Sequence, residues 1–392
     1  MTRITTNGSR QPQSTAAGAE LDAVSNNDAG AIRPRSVRSW SVSALEALPA
    51  LTRSRPPSIV FSADASMLFF ADHCSVMAID LYGEGRIALA SHEQPIRALA
   101  ISADGSSLAS LDERQIILWD LATLTPRDSL TVSSDAHGGW LSLALSARGD
   151  RVYAAFRGGV EECRSFSGKP LRRFTIPELG SPRLMLADDD GLLVVTDAND
   201  MLYVIDLRKD CEAWHAGHSV PYHQGLVQEH HGEFAFQPPS YSTYDGPPSG
   251  GGGCCCAIPQ PRTHVWCGNS DGTVLLWRLS TGVCEATLKV PFAVCLIDSF
   301  RDREGQSLVL TMGTQWKLGT LALRLFRAAD RSELGSTEIA PCLVETLAVA
   351  PDGRQFATAA RDGCVRLWDL YGDPGASSDE CESARPHTDA KR

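Results

Sequence analysis

The chain has 392 residues, 43% hydrophobic and 21% charged, a length that suits two or three ordinary domains or one large repeat fold. Asp and Glu outnumber Lys and Arg by 47 to 36, a net charge of −11, so no general attraction to phosphate backbones or anionic membranes is expected. No apolar run reaches the roughly 18 residues of a membrane span, and the twelve Cys, without an export signal, are expected to be reduced thiols.

Residues 1–35 hold no apolar core of signal-peptide length and carry Glu20, Asp22 and Asp28, so a polar tail outside the fold is expected, with a cytoplasmic or nuclear location. The segment SVRSWSVSAL, 36–45, alternates like a strand, with Trp40, Val42 and Ala44 on one side. One frame then recurs: CSVMAIDLYG at 74–83, ERQIILWDL at 113–121, NDMLYVIDLR at 199–208, SDGTVLLWRL at 270–279 and RDGCVRLWDL at 361–370. Its aligned positions, Ile79, Trp119, Ile205, Trp277 and Trp368, stand 40, 86, 72 and 91 residues apart. The steps of 86 and 91 are double steps, and the step of 72 contains a Pro/Gly/Ser tract at 237–260 whose 24 residues account for its excess. Residues 372–392 read as a second polar tail.

Short strands repeating every 40 to 45 residues are what a β-propeller blade requires. The fullest copy, SHEQPIRALAISADGSSLASLDERQIILWDL at 91–121, has His92, an Asp104-Gly105 turn, Ser110, Asp112 and Trp119-Asp120. The last copy has Pro351-Asp352-Gly353, Thr358, Asp362 and Trp368-Asp369; a third has His137 and Gly149 but no Trp later in the unit. In these residues the chain resembles the WD-repeat family. The resemblance implies an all-β, seven-bladed propeller of four-stranded antiparallel blades, forming one domain over 36–371. The units fall at 57–92, 93–133, 137–175, 181–216, 218–290, 292–336 and 342–371, the sixth placed by spacing. The last unit is one strand short, and 36–45 is expected to complete it, removing an open sheet edge.

The resemblance also assigns His92, Ser110, Asp112 and Trp119, and Thr358, Asp362 and Trp368, to buried hydrogen-bond chains that fix turns. A Ser-His-Asp triad is not the reading, because a buried indole N–H and carboxylate need partners and find them in each other, and no nucleophile-elbow motif is present. The cluster His215, His218, His223, His230 and His231 with Cys254, Cys255, Cys256, His264 and Cys267 fits no standard ligand spacing, so no metal and no cofactor is expected. Cys267 stands in the Ser/Thr position of the fifth unit, and the 237–260 tract reads as an insertion between that unit's first and second strands. Partner proteins or peptides are expected on loops entering the first strands, at Pro95, Arg97, Trp140, Ser142, Tyr222 and Glu345. Tyr241 and Tyr244 are candidate anchors in the insertion. In some WD-repeat receptors a Trp-Asp-x-Arg marks docking on cullin-type ubiquitin ligases; Ile205-Asp206-Leu207-Arg208 resembles it in the Asp-x-Arg, without the Trp. The expected role is a non-catalytic scaffold; the alternative is a specificity subunit, either such a receptor or the partner of an RNA-modifying enzyme.

Overall fold

The computed structural model describes the chain from residue 34 to 371, except 42–57, 132–139, 218–226, 237–254 and stretches of one to four residues elsewhere. Seven antiparallel blades follow one another in chain order. Blade one is Ile59–Phe61, Met67–Asp72, Ser75–Asp80 and Arg86–Ala88; blade two is Ala98–Ile101, Ser107–Leu111, Gln115–Asp120 and Thr125–Thr131. Blade three is Trp140–Leu145, Arg151–Phe156, Gly159–Arg164 and Pro170–Thr175; blade four is Arg183–Ala187, Leu192–Thr196, Met201–Asp206 and Cys211–Gly217. Blade five is Cys255–Ala257, His264–Gly268, Thr273–Arg278 and Val283–Lys289; blade six is Ala293–Arg301, Ser307–Gln315, Thr320–Arg327 and Glu333–Ile339. Blade seven takes Val344–Val349, Gln355–Ala360 and Cys364–Asp369 from the C-terminal end, and its outer strand is Arg35–Ser41.

That outer strand runs antiparallel to Cys364–Asp369, with Trp40 opposite Val365. Its ladder skips one residue, Val37, where Trp368 pairs with Ser36 and Leu367 with Arg38. The outer strand of blade two skips Arg127 opposite Trp119 and Leu118, and that of blade five skips Glu285 opposite Trp277 and Leu276. Blades three, four and six repeat the device. A bulge of this kind sharpens the local twist, so Arg35–Ser41 has the register of an outer strand supplied by the far end of the chain.

The middle strands read as near-continuous apolar runs because both faces are covered: Ser107–Leu111 is buried throughout, as is most of Met67–Asp72. Successive side chains point to opposite neighbours. Leu108 packs in the cluster joining blades one and two, whereas Ala109 and Leu111 pack in the one joining two and three. Five further clusters fill the remaining joints, including Ile59, Phe70, Ala357 and Leu367 between blades one and seven, with Trp40 packed against them. Blade six, which has no Trp-Asp, has the longest inner strands, nine residues each.

One expectation needs correction. The tract 237–260 is not an insertion between the first and second strands of blade five: its residues 255–257 are themselves the first strand, Cys255–Ala257. The insertion is therefore 237–254, which comes before that strand and lies outside the described residues. Three residues suffice there because Cys255 and Ala257 bury into the joint with blade six while Cys256 packs at the joint with blade four. Upstream, Val227–His230 and Glu233–Phe236 add two strands to blade three, Glu233–Phe236 running parallel to Pro170–Thr175.

Candidate functional site

In an antiparallel blade, the turns between strands one and two and between three and four share one end; the turn between strands two and three shares the other with the entry to strand one. The candidates therefore divide between two faces of the ring.

On the entry face of blade two, His92 Nδ1 lies 3.0 Å from Asp112 and Nε2 lies 2.6 Å from Ser110 Oγ, which accepts the Trp119 indole N–H at 2.8 Å. Ser110 therefore donates to His92, and His92 Nδ1–H donates to Asp112. Burial pushes the His92 pKa below its ordinary value, against the opposing pull of Asp112, so the ring is neutral and suits this tautomer. Asp112 Oδ1 also accepts the Arg114 and Gln115 amides at 2.6 and 2.7 Å, closing the turn. Blade seven repeats part of the arrangement, with Trp368 donating to Thr358 Oγ1 at 2.8 Å and stacking on Phe356; Asp362 lies outside the described residues. These side chains spend their hydrogen-bonding capacity on one another and on backbone.

Beside that turn, Pro95 is exposed, and Arg97 is half-buried and ion-paired with Glu113. Glu345 is half-buried at the start of blade seven's first strand, where the ladder steps from Val344 to Thr346. Trp140 opens the first strand of blade three, opposite Phe156, but its side chain lies outside the described residues. Tyr222, Tyr241, Tyr244 and His218 lie outside them altogether. Ser142 is half-buried, and its hydroxyl accepts the Leu184 amide at 3.1 Å, tying blade three to blade four.

Asp206 and Arg208 sit on the opposite face. Asp206 Oδ1 accepts the Arg208 and Lys209 amides at 3.0 and 3.1 Å, making a tight turn that leaves Arg208 exposed. Arg208 borders a cleft of about 400 Å³ between blades three and four, along with Arg151, Tyr153, Arg172 and Asp190. Beneath it, Glu162 is fully buried and accepts from Arg151 and Arg172 at 2.6 Å each. Arg172 also donates to Leu207 O at 2.8 Å. Burial, and then Glu162, pushes the Tyr153 phenol up to about 12. This buried carboxylate under paired guanidinium groups was not anticipated from sequence; the only trace of it is Glu161-Glu162 in a strand otherwise reading as core.

Among the described residues no group of three His, Cys, Asp or Glu side chains is placed to hold a metal, and no helix is long and apolar enough to cross a membrane.

The model of the WD domain, G-beta repeat, matches residues 83–120 and 339–369, which include the Trp-Asp pairs of blades two and seven. Among solved structures, a chain in the crystal structure of a mitotic checkpoint complex superposes with a TM-score of 0.63, covering 95% of this chain and 99% of that one at 14% identity. At that identity the likeness carries the fold alone. No curated protein shows a significant sequence match. Propellers built on this repeat are in general protein-interaction scaffolds.

Proposed function

We propose that this WD-repeat propeller is a non-catalytic scaffold, one domain over 36–371, that binds proteins or peptides on its entry face around Arg97, Trp140 and Glu345. The observation that supports it most is the internal saturation of the blade-two network: His92, Ser110 and Asp112 are committed to a tryptophan and a turn. Rigid turns with half-buried charged anchors are what remains for recognition, and Trp and Arg are the residue types that carry binding energy at such surfaces. The acidic balance favours protein partners over direct contact with nucleic acid or membrane.

Affinity purification of the full chain, alongside Arg97→Glu with Glu345→Lys, tests this. The Arg97–Glu113 pair is solvent-accessible, and such pairs contribute about 0–1 kcal/mol; an unchanged melting temperature of the double variant checks that its fold is kept. Partners retained by the parent and lost by the variant are expected. Turnover of a substrate by the purified chain alone would overturn the scaffold reading.

A second reading, a substrate receptor of a cullin-type ubiquitin ligase, is favoured by one observation. Asp206 caps its own turn and places Arg208, an exposed residue whose guanidinium lies beside Gly191, on the opposite face. Arg208→Ala would then abolish co-purification of a cullin and its adaptor while leaving entry-face partners bound; unchanged partners would remove this reading. Recovery of an RNA-modifying enzyme with the parent chain would instead support the partner-subunit alternative.

A further inference from the structure

Blades two, five and seven place Trp119, Trp277 and Trp368 at equivalent positions, each paired across the sheet two residues from the position that supplies the indole acceptor. Blade two uses Ser110 and blade seven Thr358; in each, the residue facing it on the innermost strand is a leucine, Leu99 or Leu347. Blade five departs at both positions. Its acceptor position is Cys267, and the facing residue is Cys256. Trp277 Nε1 is consequently buried with no hydrogen-bond partner among the described residues. The two sulfurs instead lie 2.9 Å apart.

We propose that Cys256 and Cys267 are a thiol-modification site: a dithiol that closes reversibly to a cross-strand disulfide, joining the innermost strand of blade five to its neighbour. Directly opposed residues of an antiparallel ladder have Cα atoms about 4.5–5.5 Å apart, within the roughly 4.4–6.8 Å a disulfide spans. No shift of strands is required, only approach of the sulfurs to a bond of about 2.05 Å. Cys256 is partly buried and Cys267 fully buried, so Cys256 is the entry point. Cys255 takes no part. It faces the opposite joint, its thiol directed at Gly268 O and Val294 O, and burial pushes its pKa up to about 12.

The oxidant is a low-molecular-weight disulfide of the glutathione class. The Cys256 thiolate attacks one of its sulfurs and releases the first low-molecular-weight thiolate, leaving a mixed disulfide. The Cys267 thiolate then attacks Cys256 Sγ and expels the second. The two protons lost by the cysteines end on the two released thiols, and the two electrons given up by the cysteine sulfurs reduce the small disulfide. The bond closes a short loop and fixes the three-residue strand that immediately follows the insertion.

The test uses the full chain equilibrated with reduced and oxidised glutathione, alkylated and digested with trypsin, which cuts at Arg262 between the two cysteines. The expected product is the two peptides joined through Cys256 and Cys267, two hydrogens lighter and separated again by dithiothreitol. It is unlabelled at those two positions, though alkylated elsewhere on the 210–262 peptide, which also carries Cys211, Cys254 and Cys255. Exposed Cys284 supplies the internal control for labelling. Cys256→Leu, the residue type of blades two and seven, abolishes the joined product. Cys267→Ser, which returns a hydroxyl to Trp277, also abolishes it and traps the mixed disulfide on Cys256. The parent melts several degrees higher oxidised than reduced, and neither variant shows that shift. Full alkylation of both cysteines under oxidising conditions in the folded protein, or a joined product that survives Cys256→Leu through Cys254 or Cys255, would overturn the proposal.

Discussion

Ser110 has three roles in a space that excludes water. It accepts from Trp119, donates to His92, and through His92 holds Asp112 over the turn. Ser110→Ala strands the indole N–H and the imidazole nitrogen together, and leaving a buried polar group unsatisfied costs about 1–3 kcal/mol. We expect a loss of about 2–3 kcal/mol in denaturant unfolding, whereas Ser110→Thr, which keeps a hydroxyl as blade seven does at Thr358, loses less than about 1 kcal/mol. Equal losses would mean that packing, not the hydroxyl, is what matters at this position. These residues were legible in the sequence because the network is local to one repeat and recurs in another. Glu162 was not: its partners Arg151 and Arg172 sit on the two adjacent strands, and nothing in the spacing distinguishes a buried, doubly paired glutamate from a solvated one.

Between elements, the innermost strands of neighbouring blades are linked by single side chains that accept a backbone amide from the next blade. Ser58 accepts from Leu99 at 3.0 Å and Ser142 from Leu184 at 3.1 Å. At the joint of blades six and seven the acceptor is a carboxylate: Asp298 takes the Val349 amide at 2.8 Å as well as its neighbour Ser299. Burial raises its pKa from 3.8 to about 6, with the two amides opposing the rise. The folded state thus holds this proton more tightly than the unfolded chain. The associated stability is fully present below about pH 4 and is lost as pH rises through about 6. At neutral pH the charged group costs the fold on the order of 2–3 kcal/mol. Asp298→Asn removes the charge and keeps one of the two acceptor oxygens, a loss that is the same at every pH. The stability difference between variant and parent should therefore move in the variant's favour by about 2–3 kcal/mol between about pH 4 and about pH 7.5, read from paired urea titrations; a difference that is flat with pH would refute this. The strand itself was expected from sequence only by spacing, since blade six has no Trp-Asp to mark it. The inward direction of Asp298 depends on the neighbouring blade and could not be read from its own strand.

At the scale of the molecule, apolar contact and strand pairing act together at the one joint where chain connectivity does not help. Blades one and seven meet through Ile59, Phe70, Ala357 and Leu367, and the N-terminal strand adds Trp40 to that cluster. The alternation around Trp40 was legible before the fold, and so was the missing fourth strand after Leu370. The position of the insertion was not, because a three-residue innermost strand of Cys and Ala gives no periodicity to read. The bulge shared by Arg35–Ser41 with the outer strands of five other blades indicates that this segment is fitted to its place. A chain beginning at residue 34 and one beginning at residue 42 differ by little more than that strand. The longer should melt as the full protein does. The shorter leaves the Cys364–Asp369 edge unpaired, which favours association between copies, and uncovers the side of the cluster that Trp40 packs against. Full burial of a large apolar side chain contributes about 1.5–3 kcal/mol and Trp40 is partly buried, so with the lost ladder the melting temperature should fall by a few degrees and light scattering should rise with concentration. A peptide of residues 34–42 added to the shorter chain should reverse both effects, since the site it fills is a register rather than a covalent link. If the shorter chain melts like the longer and stays monomeric, the apolar joint of blades one and seven suffices to hold the ring, and the N-terminal strand only covers an edge.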